Sequence, residues 1–131
     1  MAIQRLLVDT HALLWFLFDD PQLSSTADEL LTDPRVSKVV SKVSLWEIAT
    51  KVVIGKLKLG MPYAVFQSQH VAARDLEILE VDLPHLVTYA GLPLHHRDPF
   101  DRLIIAQAQT DGLTVLTRDA NFASYPVTVL W

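Results

Sequence analysis

A mainly parallel α/β sheet flanked by helices is the fold class this sequence predicts, and three features predict it. Short apolar runs that read as buried strands alternate with helical stretches along the whole chain. At 131 residues the chain is long enough for one real core and too short for a second. No repeat, low-complexity tract or linker interrupts it, so residues 1–131 read as one domain.

The elements follow in order. Leu6-Leu7-Val8 is a short buried strand ending at Asp9. His11 to Phe18 is too densely apolar for a half-exposed strand and is read as a helix, stopped by Asp19-Asp20-Pro21. Ser24 or Ser25 caps a second helix to about Leu31, ending near Asp33-Pro34, and Val36 to Val40 is the next strand. Ser44 to Ile54 is a helix closed by Gly55, and a polar loop runs on to Gly60. Pro62, suited to a first turn, opens a helix to about Arg74. Ile78 to Val81 is a strand, Pro84 to Ala90 a short helix, and Leu92 to Asp98 an irregular loop. Phe100 to Gln109 is strongly helical and stops at Gly112; Leu113 to Leu116 and Val127 to Leu130 are the last strands.

Composition narrows the class. Half the residues are hydrophobic and 20% are charged, which describes a compact globular protein. With no cysteine, a disulfide framework and a thiolate zinc site are both excluded, and a reducing compartment fits. The longest apolar run, Ala12 to Phe18, falls far short of the ~20 residues of a membrane span. Asp9 and His11 break the N-terminal apolar stretch and no small-residue cleavage site follows, so the expectation is a cytoplasmic protein without a signal peptide. The net charge of −4 argues against nonspecific grip on nucleic acid. Lys51, Lys56, Lys58, Arg97, Arg102 and Arg118 nevertheless lie close in sequence to the acidic residues below, and a local basic rim can steer RNA.

Four acids carry the chemistry: Asp9, Glu47, Asp101 and Asp119. Each has a plain structural explanation. Asp9 can cap a helix, although Thr10 can do so instead and leave Asp9 to the cleft. Ser44-Leu45-Trp46-Glu47 has the pattern of a capping box. Asp98 can cap the helix that Pro99 opens, with Asp101 in its first turn, and Asp119 can serve a turn. Their coincidence is harder to dismiss. Ligands of open α/β sheets bind beyond the carboxyl ends of the strands, where Asp9 and Asp119 map and two helix N-termini join them. Carboxylates so gathered stay ionised only around a cation. Oxygen ligands point to Mg²⁺ or Mn²⁺, and phosphodiester hydrolysis is the reaction such a site serves best.

Competing motifs are weak. His95-His96 and His11 lack the His-Glu-x-x-His spacing, and neither a phosphate-cradling glycine loop nor a serine nucleophile elbow is present. A metal-dependent phosphatase that forms an aspartyl phosphate wants a second Asp two residues after Asp9, where His11 stands. A non-catalytic RNA- or protein-binding scaffold, its acids serving only as caps, is the rival from another class.

The segments L-L-V-D-T-H-A-L-L-W at 6–15, S-L-W-E-I-A at 44–49, G-K-L at 55–57, H-H-R-D-P-F-D-R-L-I-I-A-Q-A at 95–108 and L-T-V-L-T-R-D at 113–119 together resemble the PIN-domain ribonucleases. The likeness is greatest to the VapC-type toxins of bacterial toxin–antitoxin pairs, and the 98–108 block is its most specific part. The resemblance puts the family's four acids on Asp9, Glu47, Asp101 and Asp119. Asp98 matches an extra acid that is a ligand, a cap or both, and Thr10 matches a hydroxyl residue that can bond a metal water. It implies an Mg²⁺- or Mn²⁺-dependent endoribonuclease acting on tRNA or rRNA, for which Lys51, Arg97, Arg102 and Arg118 of the basic rim are the candidate RNA contacts. It further implies a homodimer inhibited by a VapB-like antitoxin, through which alone the complex reads DNA. The aromatic residues of the 62–74 helix are either core or part of such an interface.

Overall fold

Leu6, Leu7 and Val8 are wholly buried because they run through the middle of a five-stranded sheet. The computed structural model describes residues 5–131, so the first four residues of the expected domain lie outside the described residues. The strands are β1 (Arg5–Val8), β2 (Ser37–Ser41), β3 (Leu76–Leu79), β4 (Thr114–Leu116) and β5 (Val129–Leu130). Their order is β3-β2-β1-β4-β5 and every pairing is parallel, so the sheet is wholly rather than mainly so. The chain winds outward from β1 through β2 to β3, then returns to place β4 on the other side of β1. That reversal opens a crevice between the carboxyl ends of β1 and β4.

The helices are α1 (Thr10–Leu17), α2 (Ser25–Thr32), α3 (Lys42–Val53), α4 (Tyr63–Phe66), α5 (Leu83–Gly91) and α6 (Pro99–Asp111). Strand periodicity divides the core between them. Leu6 and Val8 face one layer, packing with Ala12, Leu13, Leu31, Ile48 and Phe66 from α1 to α4. Leu7 faces the other with Ile104, Ile105, Val115 and Phe122, chiefly on the α6 side. Among the described residues no helix is long and apolar enough to cross a membrane.

Four expected elements shift. Helix α3 begins at Lys42, because the Ser41 hydroxyl takes the Val43 N–H and so caps it. The proposed Ser44–Glu47 capping box is therefore overturned: Ser44 lies buried inside α3 and Glu47 sits in its second turn. The 62–74 helix is shorter and irregular. After α4 it widens into a π-helical turn over Gln67–Val71, which brings buried Phe66 and Val71, five apart, toward the core. Strand β3 starts at Leu76 instead of Ile78, where it pairs with Lys38 of β2, and ends at Leu79 instead of Val81, ahead of the Asp82–His85 bond that starts α5. The last strand is confined to Val129–Leu130, and a 3₁₀ turn over Ala120–Ser124 follows β4 where the sequence signalled nothing regular.

Candidate active site

Because β1, β2 and β4 run in one direction, the residues that follow them come out at one edge of the sheet. Asp9 leaves β1 there, its N–H donating to the Leu116 carbonyl of β4 at 3.1 Å. Its carboxylate does two tasks at once. Oδ1 accepts the Ala12 N–H at 2.8 Å and caps α1, while Oδ2 accepts the buried Thr117 hydroxyl. Thr10 is not the cap that the sequence allowed it to be. Its hydroxyl donates to Glu47 Oε1 at 2.6 Å, with the Ser44 hydroxyl 3.0 Å away.

Glu47 is 2% exposed, and Lys51 one turn on holds its Oε2 at 2.6 Å. This carboxylate thus has a basic partner of its own within α3. On the far side, Asp98 Oδ1 accepts the N–H groups of Phe100 and Asp101 and caps α6, so its role as a cap is structural fact. Asp101 rides in the first turn of α6 and accepts no backbone bond among the described residues. Asp119 Oδ1 accepts the Asn121 N–H at 2.9 Å and starts the 3₁₀ turn.

These carboxylates lie close enough to perturb one another. The Asp101 carboxyl is pushed up to about 8, first by burial and then by the charges of Asp98, Glu47, Asp119 and Asp9. Asp9 is also raised, by burial first, with hydrogen bonds from Thr117 and Ala12 opposing and the Asp119 charge adding. The other four sequence-selected acids are therefore all within electrostatic reach of Asp101. Among the described residues no three acidic or histidine side chains form a ready-made cation cage. The reason is visible in the bonding, since both oxygens of Asp9 and of Glu47 are engaged by the chain's own donors. The donor chemistry still fits a hard divalent ion: the candidate ligands are all oxygen, one acid is pushed toward its neutral form by burial and then by its neighbours' charges, and carboxylate oxygens keep free lone pairs.

Beside the acids lies a cleft of about 490 Å³ lined by Asp9, His11, Trp15, Gln22, Arg118 and Asp119. Arg118 lies over the Trp15 ring, 4.4 Å from its centroid, and donates to Gln22 Oε1 at 3.2 Å. His11 stands exposed at this rim, tilted against Trp15. Of the four basic residues expected to meet RNA, Arg118 and Arg97 are exposed, and Lys51 is half-buried against Glu47. Arg102 is not brought to the surface. It is 6% exposed and donates to the Leu92 and Pro93 carbonyls and the Tyr125 hydroxyl, clamping the 92–98 loop onto α6.

Two contributors escaped sequence reasoning. Thr117 donates to Asp9 and accepts the Asp119 N–H at 3.0 Å, tying the two strand-end acids together. Its only signal was a hydroxyl two places before Asp119 in a run of apolar residues. Ser44, assigned to a cap, instead backs Thr10 from inside α3.

The PIN domain family profile matches residues 6–127 of this chain. No curated protein matches it. Several solved structures share its fold. VapBC2 from Rickettsia felis, bound to a DNA fragment from the promoter, aligns at a TM-score of 0.73 and 17% identity, covering 97% of this chain and 98% of that one. FitAcB from Neisseria gonorrhoeae gives 0.68 and 23%, covering 96% of each. DNA-bound VapBC from Salmonella typhimurium gives 0.67 and 18%, covering 98% of each.

Proposed function

The chain belongs to the PIN domain family, and from that premise we propose that it is a VapC-like endoribonuclease dependent on Mg²⁺ or Mn²⁺. The observation that carries this reading is the gathering of acids at the carboxyl edge of a parallel sheet, where Asp9 and Asp119 leave neighbouring strands and the Asp101 carboxyl is pushed up to about 8, first by burial and then by the charges of four other acids. Buried like charges of this kind destabilise a fold unless something positive joins them.

Asp9, Glu47, Asp101 and Asp119 hold the cation, with Asp98 able to lend its second oxygen. The chemistry a bound Mg²⁺ or Mn²⁺ supplies is a water acidic enough to attack phosphorus and positive charge beside the phosphoryl oxygens. Thr10 and Thr117 orient the Glu47 and Asp9 carboxylates by donating to one oxygen of each. Arg118, at the mouth of the cleft, meets the RNA backbone, and Arg97 and Lys51 extend the basic rim.

The partners follow from the same reading. Toxin–antitoxin complexes are among the structural relatives, which supports a VapB-like antitoxin as inhibitor and as the part that reads DNA. A cytoplasmic homodimer acting on tRNA or rRNA completes the proposal.

A scaffold whose acids are only caps draws support from Asp9, Asp98 and Asp119, each of which accepts a backbone N–H. Against it stand Glu47 and Asp101. Among the described residues neither caps anything, yet both are sequestered together. The experiment is cleavage of total cellular RNA by the purified chain in Mg²⁺ or Mn²⁺, with EDTA and Asp101→Ala as controls. Discrete fragments that need both metal and Asp101 support the nuclease; a folded protein that neither cleaves RNA nor takes up metal leaves the scaffold.

A further inference from the structure

His96 belongs to the His-His pair that the proposed chemistry does not use, and its surroundings are unusually determined. Its ring is largely buried, and Nε2 is fully enclosed without a hydrogen-bond partner, 3.7 Å from Asp101 Oδ2. Nδ1 lies 2.9 Å from the Tyr125 hydroxyl. Which nitrogen carries the proton follows from donor and acceptor accounting. The Tyr125 oxygen receives the Arg102 Nη1–H at 3.0 Å and the His96 backbone N–H at 3.4 Å. Those two donors fill its acceptor capacity. Its own proton must then go to an acceptor, and His96 Nδ1 is the one within reach. The neutral ring therefore carries its hydrogen on Nε2, the side that faces Asp101.

We propose that His96 is a positioning residue for the cation site: held as the Nε2–H tautomer by an Arg102–Tyr125 chain, it hydrogen-bonds Asp101 Oδ2 and turns Oδ1 toward the ion. This rests on the reading of the five acids as a cation site. The separation of 3.7 Å is a little longer than a hydrogen bond, and a small rotation of the Asp101 side chain toward the ring would close it. Outer hydrogen bonds of this kind fix how a ligating carboxylate presents itself. The arrangement also gives Arg102 a purpose that its burial denies it at an RNA surface. It anchors the phenol that sets the imidazole.

The test has two readouts that do not depend on catalysis. Long-range ¹H–¹⁵N NMR of the histidine side chains, with His96→Ala for assignment, reports the tautomer in the metal-free protein. Nε2–H is expected in the wild type and a mixed ring in Tyr125→Phe; a wild-type ring protonated at Nδ1 overturns the proposal. Mn²⁺ titration by calorimetry then compares variants. His96→Ala is expected to bind about tenfold or more weakly, and His96→Gln, whose amide places an N–H near the same point, to recover most of the loss. Unchanged Mn²⁺ affinity in His96→Ala overturns the orienting role. A wild type that takes up no Mn²⁺ overturns the cation-site reading itself, and the tautomer spectrum distinguishes that failure from an error in the hydrogen-bond chain.

Discussion

The Thr10 hydroxyl donates to Glu47 Oε1 at 2.6 Å, while the Lys51 ammonium holds Oε2 at 2.6 Å. Both oxygens of a buried carboxylate are thus held by the chain's own donors, and α1 is latched to α3 through the same group. Lys51 is 31% exposed, so its pair with Glu47 lies between the surface and buried extremes. Lys51→Met should destabilise the metal-free protein by about 2 kcal/mol, read by urea denaturation. The loss should shrink when Glu47→Gln is added, because the orphaned charge is then gone. Equal losses in the two backgrounds would show that the ion pair does not carry the effect.

Asp101→Asn is expected to separate stability from activity. Removing an ionisable group crowded by four like charges should raise the melting temperature of the metal-free protein at pH 8. RNA cleavage should fall by about 10²-fold or more, with circular dichroism unchanged. A variant less stable than the wild type at pH 8 would show that Asp101 makes a favourable contact that outweighs the repulsion.

The same carboxyl sets a pH dependence. Its folded value of about 8 lies above the ordinary carboxyl value of 3.8, so the folded state binds this proton more tightly than the unfolded chain does. The stabilisation is full below about 4 and is lost as pH rises toward 8. Melting temperatures in EDTA should therefore decline over that window, and saturating Mg²⁺ should flatten the decline. A profile unaffected by Mg²⁺ contradicts the cation site.

Two substitutions at Asp98 separate cap from ligand. Asp98→Ala should lose about 1 kcal/mol by leaving the Phe100 and Asp101 N–H groups unsatisfied. Asp98→Ser should keep the cap and most of the stability. If Asp98→Ser also keeps full Mn²⁺ affinity, the residue is a cap alone; weakened affinity at normal stability identifies it as a ligand.

Arg118→Ala should raise KM for RNA and reduce the salt dependence of binding by about one unit of slope. Loss of its contact with Trp15 should lower stability by no more than about 1 kcal/mol. A fall in kcat with KM unchanged would move Arg118 from binding to chemistry.

The central strand was the most readable: a parallel strand buried on both faces appears as an unbroken apolar run, as Leu6-Leu7-Val8 does, with Asp9 just beyond. Helix starts were harder. Ser41 and Ser44 are both plausible caps in sequence, and only the carboxyl end of β2 decides for Ser41, whose hydroxyl also reaches Gln107 Oε1 at 2.5 Å. Arg102 looked like a surface cation because its carbonyl partners lie in a loop without local pattern. His96 and Tyr125 could not be joined at all, being 29 positions apart with no periodicity linking them.

The strand order has a consequence for the time at which the protein becomes competent. Thr117 reaches across 108 positions to hold Asp9, and β4 docks against β1 only after the whole intervening segment has been made. Contacts of such sequence separation form late in folding. During synthesis the amino-terminal part can pair β1, β2 and β3 while the pocket still lacks Asp101, Asp119 and the Thr117 latch. The pocket is therefore complete only once β4 has docked against β1.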